Sequence, residues 1–304
     1  MEDLIRLSII IPHLNDAPQL RGCLASLYSQ RSPRFPFEVI VVDNGSTDRP
    51  DAVCRQFPGV RLEVEKMPGP GPARNRGAGI ARGDLLAFID ADCEASSRWV
   101  ESIIEFMDRN PAVDFVGGDI RIRPGREDRL TATEAYEAIF SYRARLYVEQ
   151  LGFAATGNMA VRAKVFAAVG PFGGISTMED TEWGQRATAR GYRAAYLADA
   201  RVSTPSCASY AELARRWDRH VAHEFREVSG QIDTLKWLVK SLVIAASPPA
   251  EIPRIIRSDR IAGIRDRALA VACLARIRFY RARRMVGLVM RDNTAATVGS
   301  WNRE

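Results

Sequence analysis

Asp90 and Asp92 follow an apolar run directly, in LLAFIDADCE (85–94). Uncompensated carboxylates are strongly disfavoured in a core, so these two sit at its rim or face a cation. In an extended segment, residues two apart leave the same face. Such a pair can hold Mg²⁺ or Mn²⁺, hard cations that take oxygen ligands, against the phosphates of a substrate. The charge on a departing diphosphate would then be neutralised where it develops. The same D-x-D also arises when aspartates after a strand cap a helix or close an Asx turn. A second acid pair, Glu179-Asp180, stands in GISTMEDTEWGQRATARG (174–191). Here Ser176-Thr177-Met178-Glu179 reads as a capping box, and acids at a helix N-terminus are favoured by its dipole. That accounts for Glu179 and leaves Asp180 without a structural role.

Between these pairs lies GPGPARNRGAG (69–79), a glycine-rich turn and helix start carrying Arg74 and Arg76. Backbone N–H groups and a guanidinium there suit an anionic ligand; the alternative is a plain turn with solvated arginines. The segment matches neither the Walker loop nor the G-x-G-x-x-G fingerprint, which removes the usual support for P-loop kinases and dinucleotide-dependent oxidoreductases.

The elements that position these residues are legible. LSIII (7–11), FEVIVVD (37–43), VRLEVEK (60–66) and DLLAFID (84–90) are continuous apolar or half-apolar runs. Helical stretches are expected between them, to Gln30, to about Phe57 and over 73–82. Strands this apolar, alternating with helices, are parallel and buried on both faces, so the fold class is α/β. In open α/β sheets ligands bind beyond the carboxyl ends of the strands. Pro12, His13 and Asn15, then Asp43 to Ser46, then Gly69 to Asn75, then Asp90 and Asp92 all fall at such ends. Further on, residues 131–150 space Tyr136, Ile139, Phe140 and Tyr147 as a helix, either an acceptor groove or simply an apolar face packed on the core. FAATGNMAV (153–161) reads as extended, with Gly157 at a bulge or a close approach, and YRAAYLA (192–198) as a strand. From Tyr210 the pattern is helical, broken at SPPAEIP (247–253). A boundary near 205 divides a catalytic region, 1–205, from a helical appendage, 206–304.

The chain of 304 residues is 46% apolar and 26% charged, ordinary values for a globular protein. Its five cysteines are scattered without a C-x-x-C, which argues against a disulfide framework or zinc site and fits a reducing cytoplasm. MEDLIRLSIIIP starts acidic and lacks the form of a secretory signal, so the mature chain is expected to begin there. The net charge of +6 is uneven: residues 251–284 carry ten arginines against three acids. That localisation weakens a nucleic-acid reading and favours one specialised surface. LKWLVKSLVIAA (235–246) is too short to span a bilayer. Together with the arginines it resembles helices that lie on an anionic membrane surface; a solvated basic bundle is the alternative.

The ordered set SIIIPHLNDAPQLRGCLASLYSQ, FEVIVVDNGSTD, GPARNRGAGIARGDLLAFIDAD and MEDTEWGQRATARGY resembles the family 2 glycosyltransferases, over about residues 6–200. The resemblance implies a GT-A fold, a Rossmann-like, mainly parallel mixed sheet flanked by helices. It also implies transfer of a sugar from a nucleotide diphosphate donor, usually a UDP-sugar, with inversion and with Mg²⁺ or Mn²⁺. Asp43 would meet the base, Pro12 and Asn15 would line the nucleoside pocket, and Arg74 would lie beside the base or diphosphate. Asp90 would approach the ribose, and Asp92 the metal and diphosphate. The family's base falls in the E-D pair and is assigned to Asp180, which would deprotonate an acceptor hydroxyl. Glu179, Trp183 and Arg186 are candidate acceptor or diphosphate contacts, and Gly157 and Asn158 would let backbone approach the sugar or acceptor. The acceptor, a glycan or lipid-linked molecule, is not identified.

Two departures from the family pattern stand out. Ser203 and Thr204 occupy the region where many relatives carry a metal-binding histidine, while His220 and His223 lie on a later helix. The processive signature Q-x-x-R-W is broken by Leu213, which favours transfer of a single sugar. The competing readings are a sugar-phosphate nucleotidyltransferase and a non-enzymatic anionic-surface binding protein. The first would need a G-G-x-G-T-R-type loop after the first strand, which PHLNDAPQL is not. The second rests on the arginine-rich tail alone.

Overall fold

The structure, a computed structural model, describes residues 5–126, 129–175 and 177–291. In chain order its elements begin β1 (Leu7–His13), α1 (Ala17–Tyr28), β2 (Phe37–Asp43), α2 (Asp51–Cys54) and β3 (Val60–Val64). They continue with α3 (Pro70–Ile80), β4 (Leu85–Ile89), β5 (Glu94–Ala95), α4 (Trp99–Arg109) and β6 (Phe115–Arg123). Next come α5 (Ala132–Phe140), α6 (Ala144–Leu151), β7 (Asn158–Arg162), α7 (Ala163–Val169), α8 (Glu179–Ala189) and β8 (Ala194–Pro205). Four helices follow: α9 (Tyr210–Phe225), α10 (Gly230–Ala246), α11 (Pro248–Arg257) and α12 (Gly263–Arg291).

Among the described residues the strands form one eight-stranded sheet in the order β3-β2-β1-β4-β7-β6-β8-β5. The four strands read from their apolar runs are parallel neighbours, β3 to β2, β2 to β1 and β1 to β4. Their apolar character has the expected cause: β1, β2 and β4 are buried along their whole length. β7 then joins β4 antiparallel, and β6 joins β7 antiparallel, which makes the sheet mixed. β6 was not legible as a strand because Gly117, Gly118 and Asp119 interrupt its apolar run. Gly118 is required there: a Cβ would sit 2.1 Å from the Ala200 carbonyl.

Two helices start or stop off their expected bounds. α2 ends at Cys54, well before Phe57. α3 begins at Pro70, because a proline's missing N–H costs nothing at the first helical position. The single helix expected over 131–150 is two, α5 and α6, broken at residues 141–143.

The described residues divide into two compact units, one drawn from the chain up to 121 and from 143–204, the other from 122–142 and from 205 to 291. The second unit takes in α5, which a boundary near 205 would leave in the first region. The reason is its apolar face: Ala135, Tyr136 and Ile139 pack with Leu274 and Ile277 of α12. Tyr136 and Phe140 stack at 5.2 Å, so this helical spacing serves core packing and not an acceptor groove. α9 to α12 are helical as expected. No helix among the described residues is long and apolar enough to cross a membrane.

Candidate active site

The register pairs His13 with Asp43 and Ile10 with Phe88, so β1, β2 and β4 end together and their loops leave one edge of the sheet. His13 organises this edge. Its Nε2 accepts from the Asp16 backbone N–H at 3.2 Å, so in the neutral ring the proton is on Nδ1. Nδ1 faces Asp43 Oδ1 at 3.3 Å, and the Ser46 hydroxyl also lies 3.3 Å from it. Among the described residues Asp43 Oδ2 receives only a long contact from the Ser46 N–H, 3.4 Å, and the Asp43 side chain is 2% exposed. Asn15, at φ 53°, braces the same turn: its Oδ1 accepts from the Thr47 N–H (2.8 Å) and hydroxyl (3.1 Å). Pro12 is buried in β1 opposite Val42. Asn44 carries the edge across to α3, donating to the Glu65 and Met67 carbonyls and accepting from the Gly69 N–H.

At the start of α3 the anion-cradle reading fails. Pro70 and Pro72 have no N–H, and the backbone approaches so closely that a Cβ on Gly71 would lie 2.1 Å from the Gly173 carbonyl. Asn75 locks that approach through a reciprocal pair of 2.9 Å bonds with the Phe172 backbone. Arg76 is spent on Glu63 at 2.8 Å. Arg74 is neither solvated nor free: Nη2 donates to Asp90 Oδ1 at 2.6 Å and Nη1 to Glu179 Oε1 at 2.8 Å. Its side chain is 4% exposed, against 42% for Asp90 and 18% for Glu179. Burial works against the guanidinium charge, but Asp90, Glu179 and Asp180 outweigh it and hold Arg74 firmly protonated. One cation thus joins the end of β4 to the start of α8. Removing one partner of a buried pair costs roughly 3–5 kcal/mol, so an Arg74 substitution reports on folding before chemistry.

β4 stops at Ile89, and residues 91–92 form a turn in which the Cys93 N–H bonds the Asp90 carbonyl at 3.0 Å. The extended D-x-D expected from spacing is therefore a strand end followed by a turn. Asp90 is committed to Arg74. Asp92 has the Cys93 thiol at 3.5 Å from its Oδ1 and is pushed up to about 6, by burial first, then by Asp90 and Asp16. A carboxylate raised by like charges fits a hard cation. Among the described residues no group of three or more His, Cys, Asp or Glu could hold a metal. Gly157 faces this spot, since a Cβ there would lie 2.8 Å from Asp90 Oδ2.

Asp180 lies in the first turn of α8. Its Oδ1 accepts from the Thr181 N–H (2.7 Å) and hydroxyl (3.3 Å), while among the described residues Oδ2 has no partner. Burial, then Glu179, raises it to about 6, with Arg74 opposing. The capping-box reading rests on Ser176, which lies outside the described residues; the N-cap is Met178 and has no side-chain cap bond. Glu179 serves Arg74 instead.

Three candidates are structural. Trp183 is fully buried, donates Nε1 to the Gly170 carbonyl at 2.8 Å and packs on Phe115, Phe166 and Phe172, so it is a core anchor and not an acceptor contact. Arg186 donates to the Pro171 carbonyl at 2.6 Å and pairs with Glu182, fixing the segment that covers α3. Asn158 has its whole amide engaged, accepting from Trp99 Nε1 and donating to the Asp119 and Ala200 carbonyls. His220 and His223 belong to α9 in the second unit; His220 packs on Trp217 at 5.5 Å. The residues missed in a role were His13, Asn44 and Asn75. The signal for all three is their place at or beyond strand ends, which marks the edge but not what each side chain holds.

The mixed, mainly parallel sheet flanked by helices has the fold of the GT-A class of sugar transferases. The chain belongs to glycosyl transferase family 2, whose profile matches residues 8–170, and it is a glycosyltransferase. Glycosyltransferase AglE of Haloferax volcanii is 31% identical over 238 residues, 76% of this chain and 74% of its own. The solved mannosyltransferase PcManGT from Pyrobaculum calidifontis, in complex with GDP-Man and Mn²⁺, superposes with a TM-score of 0.58 at 19% identity, over 95% of this chain and 88% of its own. S. aureus TarS 1–349, in complex with UDP-GlcNAc, gives 0.55 at 17%, over 95% and 93%. At these identities the two structures establish the fold.

Proposed function

We propose that the chain transfers a single sugar, with inversion, from a UDP-sugar to an acceptor hydroxyl, with Asp180 as general base. The observation that carries this reading is Asp180 itself: Oδ1 anchored by Thr181, Oδ2 open, and a proton affinity near 6 that leaves it ionised at neutral pH yet basic enough to take a hydroxyl proton. Arg74 holds Glu179 and so fixes the backbone on which Asp180 stands. The catalytic work lies in residues 1–205 and the helices of 206–304 serve as an appendage.

Uridine is favoured by the state of Asp43. His13 takes Oδ1, which leaves Oδ2 to accept one N–H, and uracil presents a single N–H on its pairing edge where guanine presents two donor groups. In this reading the turn 44–48 moves to admit the base. Asp92, with Asp90 beside it, would hold a divalent cation together with the diphosphate; one solved neighbour contains Mn²⁺. When bound, that cation neutralises charge on the leaving nucleotide. A screen of nucleotide sugars for slow hydrolysis, with Mn²⁺ and with chelator, tests the whole reading: UDP-sugars are expected to be consumed only with metal. Consumption of GDP-sugars in preference, or no effect of the chelator, overturns the uridine or the metal part respectively.

The acceptor is proposed to lie at an anionic membrane surface. Along α10, Ile232, Leu235, Val239, Leu242 and Val243 are exposed on one face, with Lys236 and Lys240 beside them. An apolar stripe flanked by cations suits a helix lying in the headgroup layer. Co-sedimentation is expected with phosphatidylglycerol vesicles, weaker in high salt, and lost in Leu235→Glu/Leu242→Glu. Equal binding to neutral vesicles would reject the electrostatic part.

A further inference from the structure

Glu179 and Asp180 are consecutive acids in the first turn of α8, yet the guanidinium beside them is bound to only one. Arg74 Nη1 donates to Glu179 Oε1 at 2.8 Å and Nη2 to Asp90 Oδ1 at 2.6 Å. Its Nε is sealed from solvent without an acceptor among the described residues, and its side chain is 4% exposed. A guanidinium so enclosed takes the acceptors that the protein supplies, because an unmet buried charge is costly. Asp180 is near enough for its charge to help hold Arg74 protonated, but its own hydrogen bonds come from the Thr181 N–H and hydroxyl.

That division matters for the chemistry. A carboxylate beside an arginine is held roughly 1–3 pH units below its ordinary value, and a base that weak is poorly matched to a hydroxyl proton at neutral pH. Asp180 instead stands at about 6: burial first and Glu179 second raise it, against Thr181 and Arg74. The charged groups acting on it are Glu179 on its own helix and Arg74 of α3, whose other partner is Asp90 at the end of β4.

We propose that Glu179 is a positioning residue for Asp180: by occupying Nη1 it keeps the Arg74 guanidinium off the neighbouring carboxylate and leaves that carboxylate unpaired for an incoming hydroxyl. Its importance for turnover rests on the reading of Asp180 as base; the pairing itself does not. Glu179 then needs no contact with donor or acceptor. Its charge acts on Asp180 twice in the same direction, repelling the neighbouring anion and tying up the cation.

Two substitutions separate these effects. Glu179→Gln and Glu179→Ala both remove the charge, but the glutamine carbonyl oxygen still accepts from Nη1 and alanine offers nothing. Asp180 is followed by carbon NMR of the full chain labelled at its aspartate carboxyl carbons, its signal assigned as the one lost in Asp180→Asn. In Glu179→Gln, Asp180 is expected to titrate above the ordinary value of 3.8; in Glu179→Ala it is expected below 3.8, because Arg74 turns to it. Equal titration in the two variants overturns the proposal. Where Glu179→Ala does not fold, Glu179→Gln decides alone: a value below 3.8 there shows that the bond to Arg74 is not what holds the cation away.

The reaction rate checks the base separately. With the UDP-sugar consumed in the nucleotide-sugar screen and water as acceptor, water attacks the anomeric carbon, its proton passes to Asp180 and UDP leaves. The acid limb of this hydrolysis is expected to follow the NMR value from one variant to the next, and the rate at pH 7 to be about tenfold or more lower in Glu179→Ala than in Glu179→Gln. A limb that does not follow Asp180, with the NMR contrast intact, overturns the base reading and leaves the pairing standing.

Discussion

Asp180→Asn is expected to bind the donor as well as the wild type and to turn over about 10²-fold or more slowly, the usual scale for loss of a general base. The amide keeps the shape of the side chain and, through its carbonyl oxygen, keeps the bond from the Thr181 N–H, so the start of α8 and the Arg74 pairing to Glu179 survive. What it lacks is a lone pair able to accept a proton at neutral pH. The pH profile gives an independent reading. A carboxyl raised to about 6 is protonated, and useless as a base, below that pH; above it the carboxylate is present and the rate is level. Wild-type kcat is therefore expected to fall about tenfold per pH unit below 6, while the residual activity of Asp180→Asn lacks that limb. Steady-state kinetics with separate donor-affinity measurements checks both; a variant with full turnover ends the assignment.

The sequence carries the sheet better than the site because the two depend on different physics. A parallel strand must be apolar on both faces, and β1, β2 and β4 advertise this in LSIII, FEVIVVD and LLAFI. β6 must also let another backbone approach at Gly118, so its pattern is broken and the strand goes unread. At the site, residue type shows which groups can do chemistry but not which partners claim them. Trp183, Arg186 and Asn158 are candidate contacts only through the family resemblance; the structure meets their polar tips with the Gly170, Pro171, Asp119 and Ala200 carbonyls. Arg74 shows the limit most clearly. Its ion pairs reach 16 residues to Asp90 and 105 residues to Glu179, and no local pattern encodes the second.

Asp92→Asn is expected to weaken metal-dependent UDP binding by about 10- to 100-fold, equivalent to roughly 1.5–3 kcal/mol for a contact to a charged group. Calorimetric titration with Mn²⁺ and with chelator measures it; an unchanged metal-dependent increment rejects Asp92 as a ligand. The same substitution should act on stability in the opposite direction. Asp92 titrates near 6 in the folded chain against an ordinary value of 3.8, so between those values the folded state binds more protons than the unfolded state. On account of this group the ion-free protein becomes more stable as pH falls from 7 toward 4, and ionisation above pH 6 is a cost that the wild type bears. Asparagine removes the charge and with it the repulsion from Asp90 and Asp16, so the variant should melt higher than the wild type at pH 7 without metal. Adding Mn²⁺ and UDP should raise the wild type by mass action and leave the variant nearly unmoved, narrowing or reversing the order. A variant that melts lower without metal and gains as much from Mn²⁺ and UDP would show that Asp92 is held by the protein for its own fold, with no cation to meet.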